Sequence, residues 1–90
     1  MRRIKEDERY KVGACYSVAG FEVSIIDLAT STPEWRNMHI YIFGGVLPKR
    51  SYWLGWNGER SNHSRDWQLL KEHQPAIYEW LLKSLAEWAI

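Results

Sequence analysis

From Tyr10 onward the side chains alternate with a period of two. Tyr10, Val12, Ala14, Tyr16 and Val18 fall on one face, and Lys11, Gly13, Cys15, Ser17 and Ala19 on the other. Successive Cβ atoms of a strand point to opposite sides of a sheet, so this is the pattern of a half-buried strand. Ala19-Gly20 offers a two-residue turn into Phe21–Ile25. Pairing Val18 with Phe21 sets Tyr16 opposite Val23 and Ala14 opposite Ile25, and both strands then present apolar residues to one side. After Ile25 the apolar phase slips to Ile26 and Leu28, which predicts a bulge or a strand end near Ile26.

Thr30–Asn37 reads as a break. Ser31 or Thr32 followed by Pro33 and Glu34 has the form of an N-cap with proline at the first helical position, enough for one turn, with Trp35 in the same loop. Met38–Phe43 is apolar on both faces, as suits a central strand, and Gly44-Gly45 and Leu47-Pro48 bound it. A second hairpin is predicted over Ser51–Trp56 and Glu59–His63, because Asn57-Gly58 is the favoured pair for a type I′ turn. Its register puts Leu54 opposite Ser61 and Tyr52 opposite His63 on one side, and Trp53 opposite Asn62 on the other. The polar returning arm suits an edge strand.

Ser64 is the expected N-cap of a helix over Arg65–Glu72, with Asp66 favourable in its first turn. Gln74-Pro75 stops that helix and starts another over Ala76–Ile90. The second helix carries an apolar stripe of Ile77, Leu81, Leu85 and Trp88, widened by Tyr78, Leu82 and Ala89. Glu79, Lys83 and Glu87 share the opposite side at spacings that favour ion pairs, and Trp80 lies toward that polar side. The predicted fold class is α+β: an antiparallel sheet of four to five strands in two hairpins, followed by two C-terminal helices packed on one face.

Ninety residues make a single domain, 1–90, with residues 1–9 as a solvated lead-in. A chain this short depends on large side chains for its core, and six tryptophans and five tyrosines supply them. Twelve basic against eleven acidic residues leave a net charge of +1, so an electrostatic function would need local clustering. The single cysteine excludes an internal disulfide and a cysteine-based zinc site. No apolar run approaches a membrane span, and the charged N-terminus lacks the apolar stretch of a signal peptide. The cytoplasm is therefore the expected compartment, with no membrane partner.

Candidate chemistry is sparse. His39, His63 and His73 have no compact metal-ligand spacing, so no metal is expected. Cys15 sits in mid-strand, where a small buried or half-buried thiol is the simpler reading than a nucleophile. Glu22 and Asp27 fall at outward, solvated strand positions. Gly44-Gly45 lacks the Lys-Ser/Thr of a phosphate loop. These absences point away from an enzyme and call for no cofactor.

Two binding classes remain. Lys49, Arg50, Arg60 and Arg65 flank the second hairpin, where Tyr52, Trp53 and Trp56 could offer stacking faces to nucleic acid. The near-neutral net charge favours instead tryptophans that belong to the core and arginines whose stems cover apolar surface. Protein binding is the remaining class. Trp, Tyr and Arg are the residue types enriched at interface hot spots. Six tryptophans exceed what a core of this size holds, so one or two should be partly exposed. Trp35, Trp53, Trp56, Arg60, Arg65 and Trp80 are the candidate partner-binding residues, and the same surface would serve a homodimer.

LGWNGER at 54–60 and SRDWQLLKEHQPAIYEWL at 64–81 resemble the C-terminal part of small phage and prophage accessory proteins, over roughly the last 40 residues. The resemblance is one of hairpin and helix packing. It implies a context rather than a chemistry: such proteins often bind and inhibit a host protein, including defence systems such as CRISPR–Cas. The expectation is a small protein-binding module, an inhibitor or accessory factor acting on a host protein, with nucleic-acid binding through 49–65 as the alternative.

Overall fold

The computed structural model describes residues 11–32, 35–56 and 65–88, with the side chains of 29–32, 35, 36 and 88 left undescribed. Strands β1 (Cys15–Val18), β2 (Phe21–Thr32), β3 (Trp35–Phe43) and β4 (Ser51–Trp56) precede helices α1 (Arg65–His73) and α2 (Pro75–Trp88). The strands form one sheet in the order β1-β2-β3-β4, every neighbour antiparallel. This is an α+β fold with four strands among the described residues and two C-terminal helices.

The first hairpin has the expected register, with Val18 opposite Phe21 and Tyr16 opposite Val23. The pairing continues in hydrogen bonds beyond the strand end: Ile25 N–H donates to Ala14 O at 2.9 Å and Gly13 N–H to Ile25 O at 2.8 Å. Both turn residues take positive φ, 51° at Ala19 and 83° at Gly20, as a type I′ turn requires. Glycine does this freely, whereas an alanine in the left-handed region costs about 1 kcal/mol. Ala19→Asn supplies the residue this turn prefers and should stabilise the fold by about 0.5–1 kcal/mol, a rise of a few degrees in Tm by calorimetry.

The alternation predicts a strand from Tyr10, but β1 begins only at Cys15. Gly13 takes φ +94° and Ala14 N–H donates to Lys11 O at 3.2 Å, so the chain turns over 11–14 and leaves Val12 exposed. The slip at Ile26 is a bulge, a register shift between Ile25 and Asp27. It moves the chain by one residue, so that Leu28 joins the core side opposite Met38 and Asp27 pairs with His39.

The expected break at Thr30–Asn37 is replaced by pairing. β2 runs to Thr32, β3 starts at Trp35, and Thr32 pairs with Trp35. Threonine caps helices, but it also suits strands. A single helical turn offers one hydrogen bond for several fixed residues, whereas ladder pairing rewards every second residue. Pro33 and Glu34 lie outside the described residues, as do Glu59–His63, the expected returning arm of the second hairpin.

One face of the sheet makes the core. Val18, Val23, Ile25, Met38, Ile40, Ile42, Tyr52, Leu54 and Trp56 are buried against Trp67 and Leu70 of α1 and Ile77, Tyr78, Leu81 and Leu85 of α2. The helix pair starts and breaks where the sequence predicts. Gln74 N–H donates to Leu70 O and Tyr78 N–H to Gln74 O, while Pro75, which has no N–H, takes the first position of α2. α1 also closes the outer edge of β4. The Trp53 N–H donates to the Asp66 carboxylate at 2.7 Å and the Trp67 indole N–H to Gly55 O at 2.8 Å.

Candidate functional site

Both helices pack on one face of the sheet, and among the described residues no element covers the other face, whose side chains follow from the register. β1 contributes Cys15 and Ser17, β2 Glu22, Ser24 and Asp27, β3 His39, Tyr41 and Phe43, and β4 Ser51 and Trp53. Cross-strand partners form three rungs: Ser17–Glu22–Phe43, Cys15–Ser24–Tyr41–Ser51, and Asp27–His39–Trp53. The aromatic residues therefore occupy β3 and β4, and the carboxylates occupy β2.

The aromatic half is ordered by ring contacts. His39 stacks on Trp53 with centroids 4.3 Å apart and planes 22° apart, and Tyr41 tilts against Phe43 at 4.7 Å. Phe43 and Trp53 nevertheless remain 46% exposed each. The Nε2 of His39 is buried with no hydrogen-bond partner among the described residues. Exposed rings held by neighbours on a sheet lose little conformational freedom when a partner covers them.

Cys15 is exposed, not the buried or half-buried thiol expected from its mid-strand position, because β1 is an edge strand whose outward side faces solvent. Its pKa is raised, chiefly by the hydrogen bond its thiol donates to Glu22, then by burial and by the Glu22 charge, with the Tyr16 backbone and Ser24 opposing. A raised pKa keeps the thiol protonated to higher pH and so slows reactions that need the thiolate. Alkylation by iodoacetamide around pH 8 should be slower in the folded chain than in the urea-unfolded chain. Glu22→Gln should shift the folded chain's pH–rate curve toward lower pH.

Two of the basic residues expected beside the second hairpin, Lys49 and Arg50, make contacts within the chain. The Arg50 guanidinium donates to Ile42 O at 3.0 Å and Gly44 O at 3.2 Å, and to Gly45 O, which pins the β3–β4 loop. Gly44 and Gly45 both take positive φ in that loop, a turn few other residues adopt. Lys49 Nζ lies 5.3 Å from the Tyr52 ring centroid. Because charge-assisted hydrogen bonds are the stronger kind, Arg50→Ala should cost about 1–2 kcal/mol by urea denaturation, and Arg50→Lys most of the same amount.

The structure separates the six residues singled out from the sequence. Trp53 stands on the open face. Trp56 does not meet solvent beside the turn as expected: it is 4% exposed, in the core, with its ring 6.0 Å from that of Trp67. Its parity on β4 matches that of Tyr52 and Leu54, which puts it on the helix side. Trp80 is half-buried against Tyr16, with centroids 5.1 Å apart. Arg65 is exposed at the start of α1. The Trp35 side chain and all of Arg60 lie outside the described residues.

His39, Tyr41 and Phe43 are absent from that expected set, because an apolar run reads as a strand buried on both sides. Glu22 and Ser24 carried the missing signal. They are outward residues of β2, and the strand paired beside them must show its own outward residues to the same solvent.

Among the described residues, no group of three or more His, Cys, Asp or Glu is placed to hold a metal ion. No helix among them is long and apolar enough to cross a membrane. No family model, curated protein or solved structure matches this chain.

Proposed function

We propose that this chain is a small protein-binding module that docks its partner on the open face of the sheet. The observation that supports this reading most is the half-exposure of Phe43 and Trp53 on a rigid face opposite the helix layer. Large aromatic side chains held in place are the usual anchors of protein interfaces, and contiguous exposed apolar surface marks interaction sites. The context belongs to the same proposal: an accessory factor of a mobile element that binds and inhibits a host protein, such as a CRISPR–Cas component. Its support is the resemblance of residues 54–81 alone.

The test is capture of a stoichiometric partner from native lysate by the wild-type chain, compared with two variants. Phe43→Ala/Trp53→Ala should lose the partner. Glu79→Ala/Lys83→Ala, on the outward side of α2, should keep it. Equal capture by both variants overturns the assignment of the face.

A nucleic-acid reading keeps one observation in its favour, the stacked rings on an open sheet, since bases stack on such platforms. It predicts a complex with labelled oligothymidylate at low salt that weakens steeply as salt rises. The acidic residues on the face oppose it.

A further inference from the structure

We propose that the open face selects an extended protein segment bearing two cationic side chains four residues apart. This rests on the open face being the docking surface, and it adds the chemistry of the occupant. The register places a carboxylate directly beside an aromatic ring at each end of the face: Glu22 pairs with Phe43, and Asp27 pairs with His39, whose ring stacks on Trp53. Between them Ser24 pairs with Tyr41. A carboxylate next to a ring face is the setting in which a guanidinium or ammonium gains both charge and cation–π attraction.

Glu22 and Asp27 are the only acidic residues among the strand residues whose side chains are described (segments 15–18, 21–28, 37–43 and 51–56), and none of those residues is lysine or arginine. Both carboxylates are exposed and keep acceptor capacity. Asp27 accepts one bond from Leu28 N–H at 2.9 Å, whereas a carboxylate can take about four. Phe43 and His39 are four residues apart on β3, which is about 13 Å along a strand. An extended segment laid along β3 matches that distance with cations at positions i and i+4. Its neutral residues between them would lie against Ser24 and Tyr41, and an apolar neighbour would cover Trp53.

The other occupants fit this charge less well. A second copy apposed face to face would bring four carboxylates together with no cation from the described strand segments. Nucleic acid would bring phosphates toward Glu22 and Asp27.

The experiment is a titration of the full ¹⁵N-labelled chain, followed by amide chemical shifts at low ionic strength, with three capped peptides. These are Arg-Leu-Ser-Leu-Arg and its counterparts with glutamine or glutamate in place of both arginines. The arginine peptide should shift the amides of Glu22, Ser24, Asp27, His39, Tyr41 and Phe43. It should bind at least about five-fold more tightly than the glutamine peptide, and the glutamate peptide should leave these amides unmoved. Glu22→Gln/Asp27→Asn, two isosteric changes at exposed positions whose fold the same spectra verify, should bring the arginine peptide down to the glutamine peptide's affinity.

Equal binding of the arginine and glutamine peptides on this face overturns the cation selectivity and leaves the docking surface standing. No shift from any peptide overturns the inference as well, and the lysate comparison then judges the docking surface separately. Shifts of the same amides on dilution of the chain alone, or with oligothymidylate, overturn both in favour of a homodimer or a nucleic-acid platform.

Discussion

Trp67→Ala should remove about 4 kcal/mol of stability, close to the whole of what a domain of this size commands. The indole is 3% exposed, with its ring 6.0 Å from that of Trp56 and 6.1 Å from that of Tyr78, so it joins α1 to β4 and to α2 at once. Its N–H also satisfies the Gly55 carbonyl at 2.8 Å in a buried position. Truncation to alanine therefore opens a cavity and orphans a carbonyl, and each effect is costly alone. Trp67→Phe separates them: it keeps most of the ring volume, loses the donor, and should cost about 1–3 kcal/mol. Urea denaturation of the three proteins checks the order. If Trp67→Ala lies within about 1 kcal/mol of wild type, Trp67 is not the joint between sheet and helices.

Phe43→Ala/Trp53→Ala should have the opposite profile, costing little stability and most of the binding. Both side chains are about half exposed and neither belongs to the core cluster. The change in folding free energy should stay near 1 kcal/mol, most of it from the lost stacking of Trp53 on His39. Two aromatic anchors at the centre of an interface are worth roughly 2 kcal/mol or more each, so affinity for the captured partner should fall by roughly 800-fold or more. Trp56→Ala is the instructive contrast. That residue is buried, and its loss should damage the fold, so weaker binding in that variant would report unfolding and not contact. Calorimetry and titration of the captured partner, run on the same samples, distinguish the two.

The elements legible from residue pattern are those that local physics decides alone. The first hairpin follows from alternation plus one glycine, and its register holds pair by pair. The helix pair follows from Pro75 and an apolar stripe, and Ile77, Leu81 and Leu85 are buried as the stripe requires. The failures are places where long-range pairing overrides a local signal. Thr30–Thr32 carries a capping pattern that fits a helix start, yet pairing with β3 extends the strand through it. Trp56 stands beside a turn and so suggests exposure, yet its parity on β4 turns it toward the helices.

The candidate site was half legible for the same reason. Trp53 alternates outward within its own strand and can be found there. His39, Tyr41 and Phe43 become surface only once Glu22 and Ser24 are known to be their neighbours and both helices are known to lie on the far side. That is a property of the sheet as a whole, and no window of sequence contains it. The charge of the face is likewise a tertiary sum. Arg50 sits near the site in sequence but spends its guanidinium on the loop carbonyls, which leaves Glu22 and Asp27 to set the sign.

The central claim is that the partner meets the sheet and not the helices. Site-specific photo-crosslinking addresses it most directly, with a benzophenone side chain placed singly at positions 43, 53, 68 and 79 of otherwise intact chains in their native cells. All four positions are exposed, so solvent access is matched. The account predicts one discrete adduct of the same mass from positions 43 and 53 and none from 68 and 79. An adduct from 68 or 79, with none from 43 and 53, would contradict it.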